Sequence, residues 1–334
     1  MQNDRVVREA DPYGVLPGAV GKFKERGDHF LLETVSDYGI LGLSDSGRGF
    51  MITTNARRTK IILIVLLCVA VHLLLTAMAV IALLPYAHEL FFPTPTEPYS
   101  AEPEPTLPPP EANPLTAEDF SVDEQGFISC SAVPYSMGID VSAFQGEIDW
   151  QQVKDAGVDF VMIRVGGRGW GEAGTLYADS RAQEYYKGAK EAGLQVGAYF
   201  FSQATTVWEA LEEAAFTLLL TTGWELELPI VYDWEYVSDQ ARTAHVDADT
   251  LTRCTQAFCR MIEAAGHQPM IYFNQHQGHN LLHLEALTEY PFWLAMYTEG
   301  CTYDYRVDYW QYSATGQVPG ISTNVDLNLR FHYR

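Results

Sequence analysis

The sequence has 334 residues and a formal net charge of −22, from 43 acidic and 21 basic side chains. A surplus of acids this large argues against a nucleic-acid partner, because phosphates are bound through Lys and Arg. A neutral or cationic partner, such as a polysaccharide, is compatible with this charge. Composition also changes along the chain, so we expect several segments of different character.

The first two segments are predicted to be a tail and a membrane span. Residues 1–60 show no sustained hydrophobic period and predict a weakly ordered tail. Residues 61–84 are predominantly apolar and contain no Asp, Glu, Lys or Arg, enough for one helix to cross ~30 Å of hydrocarbon. Arg57, Arg58 and Lys60 precede this run, so the positive-inside rule places the N-terminus in the cytoplasm. We therefore predict a single-pass plasma-membrane protein whose C-terminal part is extracellular and whose tail could bind a cytoplasmic protein.

The next segment, residues 85–134, is rich in Pro and Glu and has no Lys or Arg. Proline and like charges both favour an extended, polyproline-like chain. We predict a disordered extracellular linker that holds the following domain away from the membrane.

Residues 135–334 alternate between strand and helix patterns. The predicted strands are 138–142, 160–165, 195–202, 228–235, 269–274, 292–297, 307–313 and 325–331. Glycines suited to the position after a helix, such as Gly157 and Gly193, end the first helical segments. Five β–α units followed by three strands predict an α/β fold, a (β/α)5(β)3 barrel related to the TIM barrel. An open doubly wound sheet is the alternative, but no Gly-x-Gly-x-x-Gly turn follows a strand, and we predict no cofactor.

Acidic residues stand at the ends of several predicted strands. Asp140 lies in the first, Asp233 and Glu235 end the fourth, and Asp326 lies near the start of the last. Polar residues at the carboxyl ends of barrel strands point into the active-site mouth. Asp233 and Glu235 are two residues apart and share a face, whereas Trp234 points to the opposite side. Neighbouring like charges raise one pKa, and a protonated acid beside an ionised one is the arrangement that cleaves glycosidic bonds.

The acids alone leave three interpretations open. They could form a glycosidase site, a metal-dependent hydrolase site with Asp140 as a further ligand, or a structural or binding pair. A second metal candidate is the H-x2-H-x3-H pattern of His276, His279 and His283. That pattern has no H-E-x-x-H motif and favours a solvated loop and helix start, so we predict no metal.

Seven aromatic residues lie in or at the ends of the predicted strands. Aromatic rings stack on sugar faces, although a single strand aromatic is more typical of a core. Their concentration near the acids favours a sugar site. The predicted substrate contacts are Tyr199, Tyr232, Tyr272, Trp293, Tyr297, Trp310 and Tyr312.

The segment from Met137 to the C-terminus resembles the family 25 glycoside hydrolases, the lysozymes that cleave peptidoglycan at N-acetylmuramic acid. The matching segments, in the family's order, are GIDVSAFQGEIDW, FVMIRVGGRG, AKEAGLQVGAYFFSQA, LPIVYDWE, PMIYFN, FWLAMY, VDYWQYS and VDLN. Phe200, in AYFF, departs from many relatives that carry a polar residue or His. The resemblance implies a (β/α)5(β)3 barrel with β-1,4-N-acetylmuramidase activity on peptidoglycan glycan strands.

The resemblance also implies roles for individual residues. Glu235 would be the general acid, and Asp233 would orient the 2-acetamido group or stabilise the intermediate. Asp140 and Asp326 would complete the acidic cluster, and the substrate contacts would include Tyr272 and Trp310. The resulting hypothesis is a membrane-anchored muramidase that faces a bacterial cell wall. The alternative is a non-catalytic wall-binding module on the same barrel, against which the presence of all four acids argues.

Overall fold

The computed structural model describes residues 107–333. The predicted tail, residues 1–60, and the predicted membrane span, residues 61–84, lie outside the described residues, as does the linker up to residue 106. Within residues 107–333, no helix combines the length and apolar character that a membrane crossing needs.

Eleven strands and five α-helices make up the regular structure of the described part. The strands are β1 (Phe120–Val122), β2 (Ile128–Cys130), β3 (Tyr135–Val141), β4 (Phe160–Arg168), β5 (Leu176–Ala178), β6 (Gln195–Ser202), β7 (Ile230–Trp234), β8 (Pro269–Asn274), β9 (Phe292–Ala295), β10 (Tyr309–Gly316) and β11 (Val325–Phe331). The helices are α1 (Trp150–Asp155), α2 (Ala182–Glu191), α3 (Val207–Leu220), α4 (Ala248–Ala264) and α5 (Gln275–Asn280).

Eight of these strands close into a barrel. Going round it, the order is β3, β4, β6, β7, β8, β9, β10 and β11, with β11 pairing back to β3 and β5 added beside β4. Neighbours from β3 to β10 run parallel, whereas β11 is antiparallel to both β10 and β3. A helix follows each of β3, β4, β6, β7 and β8 before the next barrel strand, but none separates β9, β10 and β11. The structure confirms the predicted order of five β–α units and three strands, and closure excludes the open sheet.

Local chemistry sets the helix boundaries. The side chain of Thr206 accepts a hydrogen bond from the backbone N–H of Glu209 at the start of α3, and Asp247 does the same for Thr250 at the start of α4. Such caps satisfy amide groups that have no partner within the helix. Gly193 follows α2 with φ of 76°, a left-handed conformation that glycine adopts without strain.

The barrel strands are covered on both sides. Phe160, Met162, Val231, Met270 and Trp293 pack together in one apolar cluster, while a second and larger cluster includes residues of the helices and of the opposite strand faces. Side chains therefore alternate between the barrel interior and the helix layer. The interior is filled with apolar groups, which leaves its polar residues at one end.

A short hairpin before the barrel packs against its outer surface. The Phe120 ring of β1 meets the rings of Trp310 and Phe331 at centroid distances of 5.1 and 6.1 Å, and Ile128 of β2 is buried. The side-chain amide of Asn113 donates to backbone carbonyls of the segment after β9. This ordered packing differs from the linker predicted through residue 134. The Pro- and Glu-rich composition of the segment hides the few apolar residues that attach its end to the barrel.

Candidate active site

Four acids form what we call the mouth cluster: Asp140, Asp233, Glu235 and Asp326. Asp140 lies near the end of β3, Asp233 in β7 and Glu235 directly after β7, so all three stand at the carboxyl edge of parallel strands. The beginning of β11 lies at the same edge because this strand runs the opposite way. Asp326 accordingly pairs with Asp140 in the strand register. The reversed direction of β11 explains how an acid at a strand's start joins acids at strand ends.

Burial raises the pKa of all four carboxyl groups, and repulsion by neighbouring acids adds to the rise in Asp233, Glu235 and Asp326. Burial raises the pKa of Asp140 to about 6. Burial, followed by the negative charge of Asp140, raises the pKa of Glu235 to about 7. The pKa values of Asp233 and Asp326 rise well above the usual range, through burial first and neighbouring acids second. Because like charges in one buried site oppose full ionisation, the cluster retains protons near neutral pH.

Asp140 and Asp233 differ in their hydrogen bonds. Oδ2 of Asp140 accepts bonds of 2.8 Å from the side-chain amides of Gln311 and Asn328. Both donors lower the pKa of Asp140 and so favour its ionised form. Oδ1 of Asp233 is buried without a hydrogen-bond partner among the described residues. An unpaired buried acceptor is unfavourable, and a polar group of a bound ligand could supply the missing bond.

Arg164 on β4 supplies positive charge to the mouth cluster, and the sequence reasoning missed it. Its Nε and Nη2 atoms lie 2.9 and 2.8 Å from Oδ2 of Asp179, which fixes the guanidinium. Its charge lowers the pKa of Asp233 and Glu235, by less than burial raises them. Tyr199 of β6 pairs with Arg164 in the strand register and is half-buried beside it. The sequence did contain a signal for Arg164, which is the single charged residue within the apolar run FVMIRV. A charge in a buried strand needs a partner, so it indicates a polar site.

Two buried glutamines, also missed, hold the backbone around Glu235. Nε2 of Gln203 donates to the carbonyl oxygen of Glu235, and Nε2 of Gln277 donates to that of Trp234, each at 2.6 Å. Gln277 is itself fixed, since its Oε1 accepts from the backbone N–H of Asn274 at 2.8 Å. The chain therefore leaves β7 along a defined path that aims the Glu235 side chain at the mouth.

Four of the seven predicted aromatic residues line or support the mouth: Tyr199, Tyr272, Trp293 and Tyr297. The hydroxyls of Tyr272 and Tyr297 both donate to Oε1 of Gln311 at 3.0 Å. Trp293 is buried beneath them, with its Nε1 donating to Oδ1 of Asn328 at 2.8 Å and its ring edge-on to Tyr272. The same two amides that bond Asp140 thus also position these three aromatic residues.

The other three predicted aromatic contacts face away from the acids. Tyr232 packs against Phe258 of α4, with 4.8 Å between ring centroids. Trp310 is fully buried and donates from Nε1 to the carbonyl oxygen of Met296 at 2.8 Å. Tyr312 packs on Trp310 with centroids 5.5 Å apart. The structure therefore corrects the assignment of Tyr232 and Trp310 as substrate contacts, including the contact that the family resemblance implied for Trp310. It places Tyr312 outside the mouth, in the lining of a neighbouring cleft.

The alternation of side chains along a strand explains why these three aromatic residues face away from the acids. Adjacent side chains of a strand point to opposite faces. Tyr232 precedes the inward-facing Asp233, and Gln311 is the inward residue between the other two aromatic residues. The same rule predicted that Trp234 faces the helices, and this is confirmed, since its buried Nε1 donates to the carbonyl oxygen of Ala204 at 3.0 Å.

The histidine pattern that begins at His276 does not converge on one point. His279 lies 3.9 Å from a carboxylate oxygen of Asp304, whereas His283 lies 2.8 Å from one of Asp249. Across residues 107–333, no three His, Cys, Asp or Glu side chains are arranged so that they could hold a metal ion.

Curated proteins similar to this chain include two bacterial lysozymes. The autolytic lysozyme of Clostridium acetobutylicum is 28% identical over 193 residues, which cover 57% of this chain and 54% of that protein. Lysozyme M1 of Streptomyces globisporus is 28% identical over 205 residues, which cover 57% of this chain and 66% of that protein. The chain therefore spans about half to two thirds of the length of these relatives.

Among solved structures, the modular autolysin LytC from Streptococcus pneumoniae, in complex with a synthetic peptidoglycan ligand, is similar with a TM-score of 0.53. It is 25% identical, and the match covers 63% of this chain and 49% of LytC. The model of the family described as glycosyl hydrolases family 25 matches residues 139–321. Because this match extends over more than half of the sequence, the chain belongs to the glycosyl hydrolases of family 25.

Proposed function

We propose that this protein is a muramidase, which hydrolyses the β-1,4 bond between N-acetylmuramic acid and N-acetylglucosamine in peptidoglycan. Family membership and the lysozyme relatives support this proposal. The observation that carries it is the mouth cluster, in which Glu235 has a pKa of about 7 beside Asp140, an acid bonded by two amides. One protonated and one ionised carboxyl group are what hydrolysis of a glycosidic bond requires.

In the proposed mechanism, Glu235 protonates the glycosidic oxygen as the bond to the anomeric carbon breaks. The acetamido oxygen of the substrate attacks the anomeric carbon and forms a cyclic intermediate, which water then opens with retention of configuration. Asp233 aligns the acetamido group, because its unpaired Oδ1 can accept the acetamido N–H. Asp140, whose ionised form two amides favour, stabilises the positive charge that develops on the sugar ring, and Asp326 completes the acidic cluster beside it.

The activity is tested with the full chain on purified cell walls. The wild type is expected to clear wall turbidity and to release new reducing ends at muramic acid, identified by mass spectrometry of the products. Glu235→Gln keeps the side-chain shape but cannot donate the proton, so it should bind walls without cleaving them. A wild type that binds walls and yields no reducing ends would instead make the barrel a wall-binding module.

The stereochemistry is tested separately by proton NMR of the first product. Retention predicts that the β anomer appears first and then equilibrates to the mixture. An initial α anomer would overturn the role given to the acetamido group, while leaving muramidase activity intact.

We further propose that residues 61–84 anchor the protein in the plasma membrane with the barrel outside. The apolar run and the basic residues before it support this orientation, and an insoluble external polymer favours a tethered enzyme. The tail, residues 1–60, would then face a cytoplasmic protein partner. Protease added to intact protoplasts should digest the barrel and spare an epitope placed before residue 57. Protection of the barrel would reverse the orientation.

A further inference from the structure

A second cleft lies beside the mouth, between the β1–β2 hairpin and the rim of the barrel. Its volume is about 440 Å³, within the range of small-ligand sites. Val122 and Ile128 of the hairpin form one wall, Tyr297 and Glu299 after β9 form another, and Ser313 of β10 lies on the third side. The hairpin lies before the region matched by the family model, residues 139–321. This cleft therefore combines the barrel with a part of the chain outside that region.

Tyr297 joins the cleft to the mouth cluster. Its hydroxyl donates to Gln311, whose amide in turn donates to Asp140. The residue nevertheless remains 58% exposed. A tyrosine that is fixed by its hydroxyl and still largely exposed is a preorganised surface for stacking.

The hairpin wall is packed tightly against the same segment. Gly300 lies three residues after Tyr297, and a Cβ atom added there would come within 3.4 Å of the Phe120 ring. Leu115 and Ile128 are buried as well, so the hairpin is anchored on both sides of its turn. The hairpin wall of the cleft is therefore held in place by its packing against the rest of the chain.

The lining matches the chemistry of a sugar. Val122, Ile128, Tyr297 and Tyr312 offer apolar surface, while Thr298 and Ser313 offer hydroxyls. Its described residues include one acid, Glu299, and no Lys or Arg. A pyranose ring presents apolar C–H faces with a rim of hydroxyls, and an uncharged or amino-substituted sugar suits a site without cations.

We infer that this cleft is a subsite that holds a sugar of the glycan strand beyond the pair flanking the cleaved bond. The inference rests on the proposed muramidase function, because continuity through Tyr297 is what assigns the glycan strand to the cleft. If the cleft is such a subsite, the β1–β2 hairpin contributes to a preference for long glycan strands over short ones.

The test uses the full chain and peptide-free glycan fragments, a short one that spans only the cleaved pair and its neighbours and a long one. Val122→Asp places a carboxylate in the apolar wall at a position that is 43% exposed, so folding should be preserved. The ratio of kcat/KM on the long fragment to that on the short fragment should fall roughly tenfold, equivalent to about 1.4 kcal/mol. Ala314→Trp, which fills the cleft with bulk instead of charge, should lower the same ratio.

Leu219→Asp is the matched control, because Leu219 is 68% exposed at the end of α3 and does not line the cleft. It should leave the ratio unchanged. Equal ratios in the wild type and both cleft variants would overturn the subsite. The assay is repeated with fragments that carry stem peptides. A loss confined to those fragments would also overturn the subsite, since the cleft would then bind peptide.

Binding separates this inference from the proposed function. In the Glu235→Gln background, calorimetry should show tighter binding of the long fragment and loss of that difference with Val122→Asp. If the wild type releases no reducing ends, muramidase activity fails while this binding difference still supports the subsite. If activity is present but the binding difference is absent, only the subsite fails.

Discussion

Two acidic clusters in the described part of the chain, residues 107–333, have opposite surroundings. One is the mouth cluster. The other, which we call the outer cluster, lies between the end of β4 and helix α3 and comprises Arg168, Glu209, Glu212, Glu213 and Arg242. In the outer cluster, Nε of Arg168 donates to Glu213 at 2.7 Å, and the hydroxyl of Ser202 donates to the other oxygen of Glu213 at 2.5 Å.

The comparison is instructive because one acid in each cluster has the same pKa. Burial raises the pKa of Glu213 to about 7 while Ser202 and Arg168 oppose the rise. Burial also raises the pKa of Glu235 to about 7, but there a neighbouring acid adds to the rise. A raised pKa therefore identifies burial and not catalysis. An excess of acids over cations at an open barrel end distinguishes the mouth cluster from an ion-paired structural one.

The same substitution at both acids should separate the clusters most strongly. Glu235→Gln removes the proton donor, and kcat/KM on cell walls is expected to fall by about 10³-fold. Its melting temperature should hold or rise, because one buried acid is removed from a repulsive group. Glu213→Gln should retain wall hydrolysis under conditions in which it is folded. Equal losses of activity in the two variants would break the distinction.

For stability we expect the opposite order, with a larger loss in Glu213→Gln than in Glu235→Gln. Glu213→Gln leaves the buried guanidinium of Arg168 without its closest carboxylate, so the free energy of unfolding should fall by about 3 kcal/mol. Chemical denaturation followed by tryptophan fluorescence measures this loss. Glu212→Gln is the control, since Glu212 contacts the same guanidinium at 3.0 Å from a largely exposed position and should have a much smaller effect.

Gln203 lies between the two clusters, and its removal should affect both. Its backbone N–H lies 3.4 Å from Glu213, and its side chain bonds the Glu235 carbonyl. We expect Gln203→Leu to lower kcat roughly tenfold through misplacement of the acid, with KM little changed. Gln256→Leu removes a similar bond, to the carbonyl oxygen of Ala286 at 3.1 Å, far from the mouth. It should lower stability without lowering kcat.

Tyr272 of β8 and Tyr232 of the neighbouring strand β7 lie on opposite faces of the barrel wall. Substituting each of them tests which face contributes to catalysis. Tyr272→Phe removes a hydrogen bond to Gln311 and should lower kcat/KM about fivefold, near 1 kcal/mol for one net bond. Tyr232→Phe alters the opposite face of the sheet and should leave the rate unchanged. A larger loss from Tyr232→Phe would contradict the observed strand orientation.

The remaining test concerns the dependence of stability on pH. The raised pKa values of Glu213 and the mouth acids mean that the folded state binds protons more tightly than the unfolded state up to about pH 7. The free energy of unfolding therefore falls as the pH rises through that range. We expect the melting temperature to drop between pH 5 and pH 8, and to drop by less in Glu235→Gln. Activity should also decline above pH 7 as Glu235 loses its proton.

The sequence allowed the barrel and its acids to be predicted because both depend on local patterns. Strands 195–202, 269–274 and 325–331 have their predicted limits, since apolar runs bounded by turn residues encode them. The two-residue period placed Asp233 and Glu235 on one face and Trp234 on the other. Applied to the aromatic residues, the same period would have excluded Tyr232.

Other parts of the site depend on contacts between distant residues. Gln203 and Glu235 are 32 residues apart, and Gln277 and Trp234 are 43 apart, so no local motif links them. The hairpin around Phe120 was hidden for a different reason, because Pro and Glu dominate the average composition of its segment. Positions of this kind follow from the closed barrel and not from any single stretch of sequence.

The glutamine bonds at the end of β7 have a consequence for measuring catalysis. They fix the carbonyl groups of Trp234 and Glu235, and so they hold the backbone from which the proton donor extends. Glu235→Asp would retract the carboxyl group by about one carbon–carbon bond, ~1.5 Å, without moving its origin. The ratio of the rates of the wild type and Glu235→Asp therefore measures how steeply proton transfer depends on the distance between the acid and the glycosidic oxygen.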